Sequence, residues 1–185
     1  MRCSIGEYQK YPLWQGVASN WSTLEWTNWD GALLPFAGGN PRVFLCRARK
    51  STVQWTNLVN WNPSYGYNAL GTRRNDPPTP TSPVLGLSGG RGIPPLLENR
   101  VVAPADMIAI GDLPEPGLRD PNDGDITGAF DDPFDYVAAR HSKGANVVFC
   151  DAHVEFGKQT NWMKAATSPR LRWNNDHRPH PETWH

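Results

Sequence analysis

The residues best suited to chemistry lie near the end of the chain, in two strand-like runs. His153 and Glu155 are two positions apart, so they share a face of an extended strand, and Asp151 lies next to that face. Together with His141, these side chains could bind a divalent metal ion and support hydrolysis. The same pattern is typical of the solvent-facing side of a half-buried hairpin, and we favour this structural interpretation.

An acidic stretch between positions 113 and 135 offers a second candidate site. Carboxylates in a flexible loop are ligands that calcium prefers, and Asp120, Asp123 and Asp125 are candidate calcium ligands. The spacing is not that of an EF-hand, because Asp125 stands at the sixth position, where such a loop has glycine. A solvated acidic loop is the alternative. Calcium is the one cofactor that the sequence suggests.

The chain of 185 residues contains nine tryptophans, which is many for its size. Exposed in a row, their rings could stack on sugars, and the protein would then be a carbohydrate- or surface-binding module. The alternative, which we favour, is that a small, loop-rich domain uses large rings to close its core and its subunit contacts. The tryptophans that could form such a surface are Trp21, Trp26, Trp29, Trp55 and Trp61.

Motifs of nucleophilic catalysis are missing from the sequence. It has no Gly-x-Ser-x-Gly, and the glycine-rich run at 89–92 lacks the Lys-Ser/Thr of a phosphate-binding loop. Neither Cys46 nor Cys150 has a histidine partner in a recognisable local signature. Together with Cys3 they allow at most one internal disulfide, whose pairing stays open. The sequence therefore predicts a non-enzymatic protein.

Composition excludes several classes of protein. The 18 basic and 18 acidic side chains cancel, which argues against a nucleic-acid binder. The 17 glycines and 18 prolines exclude a helical bundle, because proline breaks helix interiors. No run reaches the roughly 18 apolar residues of a membrane helix, and the first residues lack the apolar core of a signal peptide. The chain as given is therefore expected to be soluble.

Alternating polarity gives the clearest local prediction. Runs 145–150 and 153–156 predict two antiparallel strands, joined by a two-residue loop of Asp151 and Ala152. A type I′ turn there requires positive φ at both positions, so Ala152 carries a modest steric cost where glycine is usual. The other expected elements are a short helix from a capping box at 22–25 to Pro35 and strands at 42–46, 64–71 and 107–112.

Long loops complete the predicted fold, which is a single α+β domain, mainly antiparallel β, over residues 1–185. Prolines and glycines exclude regular structure from 72–99. The Pro-broken tail at 162–185 is expected to lie against the domain without forming an element. Residues 1–20 are weakly patterned and are expected to be a remnant or linker.

The segment 140–156 resembles a known signature. His141, nine further residues and then Asp151-Ala152 are similar to the "His, nine residues, Asp-Gly" signature of a bacterial prepilin-like family of the planctomycete and verrucomicrobia type, often described as type II secretion pseudopilin-like. Ala152 stands where the signature has glycine, and Arg47 stands where proline usually follows the cysteine. Further similar segments, which extend the resemblance over 24–185, are 31–36, 43–46, 64–68, 107–112 and 172–184.

The resemblance implies a pilin-like globular head with short helices and long loops. It would lack the N-terminal helix that family members use to anchor in the inner membrane and to pack in a filament core. Its partners would be other pilin-like subunits, identical or different, in a type IV pilus-like or type II secretion-like filament. The membrane would be reached only through that helix. The location would be extracytoplasmic in a bacterium, provided that the full-length gene carries a prepilin leader.

The resemblance also implies roles for single residues. His141 and Asp151 carry the signature and are expected to fix the hairpin. Asp151 would bond turn amides, and His141 would bond the backbone across the strand pair. Type II secretion pseudopilins often bind calcium in a C-terminal loop of the head, and the acidic loop lies at a comparable position.

Overall fold

The fold is seen in a computed structural model, which describes residues 9–12, 29–48, 64–72, 84–88, 96–113, 125–126 and 137–183. Its centre is a five-stranded sheet in the order β3-β1-β2-β4-β5. Every neighbouring pair is antiparallel except β1 and β3, which run parallel. The predicted α+β, mainly antiparallel class is confirmed. The strands are β1 (Tyr65–Asn68), β2 (Ile108–Asp112), β3 (Asp125–Ile126), β4 (Gly144–Phe149) and β5 (Val154–Lys158).

The helices of the described residues are all short. They are α1 (Trp29–Leu33), α2 (Gln159–Met163) and α3 (Thr167–Leu171). Single 3₁₀ turns cover Leu34–Ala37, Pro41–Phe44, Glu98–Arg100, Pro104–Asp106 and Pro181–Thr183. Among the described residues, no helix has the length and apolar character needed to cross a membrane.

Two of the expected elements were wrong. The strand at 42–46 is a 3₁₀ turn, because Pro41 begins it and the Asn40 side chain accepts a hydrogen bond from the Arg42 amide at 3.1 Å. The tail from 162 onward was expected to form no element, yet α2 reaches into it and α3 lies within it. Tertiary burial explains the tail, since Trp162, Arg170 and Trp173 are almost fully buried.

The sheet carries a core on each face. One core, the Trp29 core, contains Tyr67, Met107 and Phe44, with the Trp29 ring stacked on Tyr67 at 5.8 Å. The other core, the Trp173 core, includes Val147, Phe149 and Trp162. Short elements therefore cover both faces of the sheet, and the large rings close the two cores.

A β-bulge in β2 decides which of its residues face each core. The register between β2 and β4 shifts between Ile108 and Ile110. Ile108 belongs to the Trp173 core, whereas Ile110 packs against the Trp29 core. Because side chains alternate again after a bulge, Asp112 lies on the same face as Ile110.

Three asparagines fasten the C-terminal segment to the sheet; we call them the asparagine clasp (Asn68, Asn174 and Asn175). The buried Asn68 amide donates to the carbonyls of Ile108 at 2.7 Å and Trp173 at 2.9 Å. The Asn174 side chain accepts from the Thr72 amide at 3.0 Å, and that of Asn175 donates to the carbonyls of residues 84 and 86. Irregular backbone is thereby satisfied by side chains where no sheet ladder reaches it.

Arg172 fastens the same segment to the hairpin of β4 and β5. Its guanidinium donates to Asp106 at 2.6 Å and to Glu155 at 2.9 Å. It also lies over the Phe149 ring, 4.6 Å from the centroid. Charge-assisted bonds and a cation–π contact thus join the tail to the sheet through one side chain.

We expect Asn68→Ala to lower the free energy of unfolding by about 3 kcal/mol, because buried carbonyls and the Gly71 amide lose their hydrogen-bond partner. Urea denaturation followed by tryptophan fluorescence measures this change. Asn40→Ala is the matched control. It removes one exposed turn bond and should cost about 1 kcal/mol or less. Equal losses for the two variants would contradict the role of the clasp.

Candidate functional site

The hairpin loop contains three residues, 150–152, between the paired Phe149 and His153. The Ala152 amide donates to the Phe149 carbonyl at 2.9 Å, and the Phe149 amide donates to the His153 carbonyl at 2.9 Å. Ala152 has a φ of +78°, while Asp151 is not among the residues with positive φ. This is a turn followed by one left-handed residue, as in hairpins with a G1 bulge. The predicted hairpin is confirmed, but its two-residue type I′ loop is wrong.

Asp151 fixes this loop as expected. Its Oδ1 accepts from the His153 amide at 3.1 Å, which closes the turn. The same oxygen contacts His153 Nδ1 at 2.6 Å. That hydrogen bond raises the pKa of His153, with Glu155 adding to the rise against a small opposing effect of burial. The role of Asp151 in the turn is therefore structural, and the pair adds a pH-dependent contact.

Glu155 is held in the same network. Burial raises the pKa of Glu155, but hydrogen bonds from Arg172 and His153 outweigh it, so that the pKa lies below its usual range. Both ring nitrogens of His153 are engaged, one by Asp151 and the other by Glu155 at 3.2 Å. The Asp151, His153 and Glu155 side chains therefore form a series of contacts in which Glu155 bonds Arg172. They do not converge on one point as the ligands of a metal ion would.

His141 lies elsewhere, at the start of β4. Its amide and carbonyl pair with Gly144 at 2.9 and 2.8 Å, which closes a two-residue turn. Ser142 and Lys143, at the centre of that turn, have φ values of +50° and +63°. The type I′ geometry thus occurs here, and not at Ala152. The expected bond from the His141 ring to the backbone across the hairpin is wrong, because the ring faces Cys46 and Asp112.

Cys46, Asp112 and His141 form a cluster of three possible metal ligands. The Cys46 Sγ lies 3.4 Å from His141 Nε2, and Asp112 Oδ2 lies 3.5 Å from the same nitrogen. The three ligand atoms all lie within 4.8 Å of one another. They are delivered by the segment after the 3₁₀ turn at Pro41–Phe44, the end of β2 and the turn before β4.

The Asp112 carboxylate is fully buried within this cluster. Its Oδ2 accepts from the Asn146 amide at 2.7 Å. Its Oδ1 is buried and has no hydrogen-bond partner within the described part of the chain. Burying a carboxylate is unfavourable in free energy unless the group is paired or coordinates a cation. A positive charge near this oxygen would therefore stabilise the fold.

Tyr65 and Arg140 border the cluster. Burial raises the pKa of Tyr65, and the nearby Cys46 and Asp112 add to the rise. The Tyr65 hydroxyl therefore stays protonated and donates a hydrogen bond to Cys46. The Arg140 guanidinium donates to the carbonyls of Ser64 and Leu113, which holds the turn before β4 against β1 and β2.

Sequence reasoning missed this cluster because its members are 66 and 29 positions apart, and Cys46 has no local histidine partner. One signal was present. Each member lies in a segment that carries the family resemblance: 43–46, 107–112 and the start of the signature. Taken together, those segments would have suggested that the three residues meet.

The cysteines near the two cores carry free thiols. Cys46 is partly buried, and Cys150 is buried. Burial raises the pKa of the Cys150 thiol to about 12, so it is an unreactive part of the Trp29 core. Cys46 and Cys150 are thus not paired with each other, and Cys3 lies outside the described residues.

The other candidate residues fare differently. Trp29 is 1% exposed at the centre of its core, so it cannot belong to an exposed row of rings, and that assignment was wrong. Asp125 lies in β3, where it pairs with Tyr67 of β1. Outside the described residues lie Asp120 and Asp123 of the proposed calcium loop and the tryptophans Trp21, Trp26, Trp55 and Trp61.

The outer strand β5 exposes an apolar surface, which we call the β5 surface (Val154 and Phe156). Their side chains are 60% and 59% exposed, two positions apart on one face of the strand. Phe156 leans over Gly144 of β4, where an added Cβ would come within 2.7 Å of the ring. The surface is therefore anchored on the sheet while remaining open to solvent.

Comparisons with protein-family models, curated proteins and solved structures find no match to this chain.

We expect the contribution of Asp151 to depend on pH. His153 has a raised pKa in the folded protein, so its stabilisation is complete below its unfolded pKa of about 6.5 and is lost as the pH rises through the folded value. Asp151→Ala should lower the free energy of unfolding by about 1 kcal/mol near pH 9, where only the turn bond is lost. At pH 5.5 the loss should be larger, because the contact with charged His153 is lost as well. Denaturant titrations at both pH values measure this.

Asp151→Asn is the matched variant for that experiment. Its side-chain oxygen still accepts from the His153 amide, but the negative charge is gone. We expect it to resemble the wild type near pH 9 and to be less stable at pH 5.5. Identical behaviour of the two variants at both pH values would refute the separation into turn and charge effects.

Ala152→Gly should raise the free energy of unfolding by about 1 kcal/mol, because the left-handed conformation at φ +78° strains alanine and suits glycine. Thermal or urea unfolding provides the measurement. The control is Ala165→Gly at an exposed position without positive φ, which should instead destabilise slightly. A destabilised Ala152→Gly protein would count against the strained turn.

Proposed function

We propose that this chain is the globular head of a non-enzymatic, pilin- or pseudopilin-like subunit that assembles into a type IV pilus-like or type II secretion-like filament. The observation that carries the proposal is the β5 surface. Its occupant is another pilin-like subunit, and a second copy of this chain is the simplest such partner. The resemblance of the segments around His141 and Asp151 supports the same assignment.

The position of β5 suits a lateral contact. It is the last strand in the sheet order, so its outer side has no neighbouring strand in the described sheet. Edge strands offer unpaired backbone groups, and exposed apolar side chains on the same strand add contact area. On the opposite face of β5, Glu155 is tied to Arg172. One face of the strand thus holds the domain together, and the other is available to a partner.

Charge supports assembly in the same way. The chain has equal numbers of basic and acidic side chains, so no net repulsion opposes the close packing of identical copies. The tail and hairpin are held by side-chain bonds within the domain, including those of Arg172 and the asparagine clasp. A head whose tail and hairpin are fixed by internal bonds, and whose edge strand exposes apolar side chains, suits a filament subunit better than an enzyme.

We expect the protein to self-associate as its concentration rises, and Phe156→Lys to abolish this association by placing a charge in the apolar contact. Sedimentation velocity from micromolar to near-millimolar concentration measures the average mass. Val154→Lys is a second variant on the same surface, which leaves the ring over Gly144 in place. Val102→Lys is the matched control, because Val102 is 69% exposed and lies outside β5.

The wild type and Val102→Lys proteins should associate alike, while both β5 variants stay monomeric. A wild type that remains monomeric at every concentration, or a Val102→Lys protein as defective as Phe156→Lys, would contradict the proposal. The reading frame upstream of Met1 gives an independent check. A basic leader, a processing site and roughly 20 apolar codons there would support an extracytoplasmic, membrane-anchored subunit, whereas an in-frame stop codon would oppose it.

Calcium belongs to this proposal as its cofactor, with Asp120, Asp123 and Asp125 as the candidate ligands. The support is their residue type and their position in the chain. The assembly contact on β5 rests on different residues, so neither assignment depends on the other.

A further inference from the structure

We propose that Cys46, Asp112 and His141 bind a zinc ion that ties three separate segments of the domain together. The inference goes beyond the assembly proposal and does not rest on it. It starts from the convergence of a thiol, a carboxylate and an imidazole on one point, with all three ligand atoms within 4.8 Å of one another.

The distances fit tetrahedral zinc. Zinc bonds of about 2.3 Å to sulfur and 2.0–2.1 Å to nitrogen and oxygen place sulfur and nitrogen about 3.5 Å apart, and nitrogen and oxygen about 3.3 Å apart, at tetrahedral angles. The Cys46 Sγ to His141 Nε2 distance is 3.4 Å, and the Nε2 to Asp112 Oδ2 distance is 3.5 Å. A fourth position remains for water.

The same geometry disfavours a catalytic triad. In a Cys-His-Asp triad, the histidine uses one ring nitrogen toward the thiol and the other toward the carboxylate. Here both Cys46 and Asp112 face the same nitrogen, Nε2 of His141. A single N–H cannot be aligned with both acceptors, whereas a metal ion bound by Nε2 contacts all three groups.

The burial of Asp112 is an independent observation in favour of a cation. The side chain is 0% exposed, and its Oδ1 has no hydrogen-bond partner among the residues that the structure describes. A buried ionised carboxylate must be paired or bound to a metal. With a Cys46 thiolate, the two ligand charges sum to −2, which a zinc ion neutralises.

The residues around the three proposed ligands contact them, as residues around a metal site commonly do. The Asn146 amide donates to Asp112 Oδ2 at 2.7 Å, which orients the carboxylate. The Tyr65 hydroxyl interacts with Cys46 from the side of β1. Thiolate and imidazole ligands select zinc over calcium and magnesium. The ion would join the segment after Phe44 to the end of β2 and to the turn before β4.

Cobalt titration tests this site, because Co(II) replaces zinc in tetrahedral sites and thiolate ligation gives a near-ultraviolet charge-transfer band. We expect one equivalent of Co(II) to produce the band in the purified full chain, and zinc to displace it. Cys46→Ser should abolish the band. Cys150→Ala is the matched control and should retain it, because its thiol lies in the Trp29 core and outside the cluster. A His141→Gln protein should lose the tetrahedral visible spectrum.

Thermal unfolding supplies the second readout. Zinc at about 100 times its dissociation constant should raise the melting temperature of the wild type by roughly 5–10 °C and leave Cys46→Ser unchanged. Calcium should give no charge-transfer band with any variant. The inference is overturned if the band is absent, if it survives Cys46→Ser, or if it is lost with Cys150→Ala. Zinc that fails to protect Cys46 from alkylation would overturn it as well.

Discussion

The fold depends on satisfying the buried backbone of its C-terminal segment. Residues 172–175 belong to no strand, and their backbone pairs with the amides of Ile108 and Val102 and with the carbonyl of Leu85. The asparagine clasp completes this pairing. Asn68 bonds the Trp173 carbonyl, and Asn174 and Asn175 reach the chain near Thr72 and Leu85. Once the segment is fixed, the Trp173 ring closes one core and Arg172 reaches the hairpin.

Both ends of β4 carry backbone strain. Ser142 and Lys143 before the strand and Ala152 after it all have positive φ without being glycine. Each such residue costs roughly 1 kcal/mol or more and persists only where its surroundings enforce it. The enforcing contacts are the paired backbone of His141 and the Asp151 turn bond. Both signature residues thus lie beside strained turns, and the turn at 142–143 also aims His141 toward Cys46 and Asp112.

The proposed assembly surface and the proposed zinc site occupy different parts of the sheet. The β5 surface lies at the outer edge, where exposed apolar side chains meet an unpaired strand. The Cys46, Asp112 and His141 cluster lies inward, beside β1 and β2, with a fully buried carboxylate. An edge is suited to reversible contacts between subunits, while a buried ligand set is suited to holding one domain in shape. The physical properties of each place therefore fit the role assigned to it.

The sequence by itself determined what depends on neighbours along the chain. Strand-like runs predicted the hairpin and the strand at 107–112, and the Asp151 turn bond follows from a side chain two residues from its donor. Tertiary structure decided the rest. The helix at 167–171 packs beside α2 with Arg170 buried, and Trp29 became core because Tyr67 packs on it. Asp112 joined Cys46 and His141 only because a bulge in β2 turned it to that face. Contacts between residues tens of positions apart carry no local pattern, so only the folded chain reveals them.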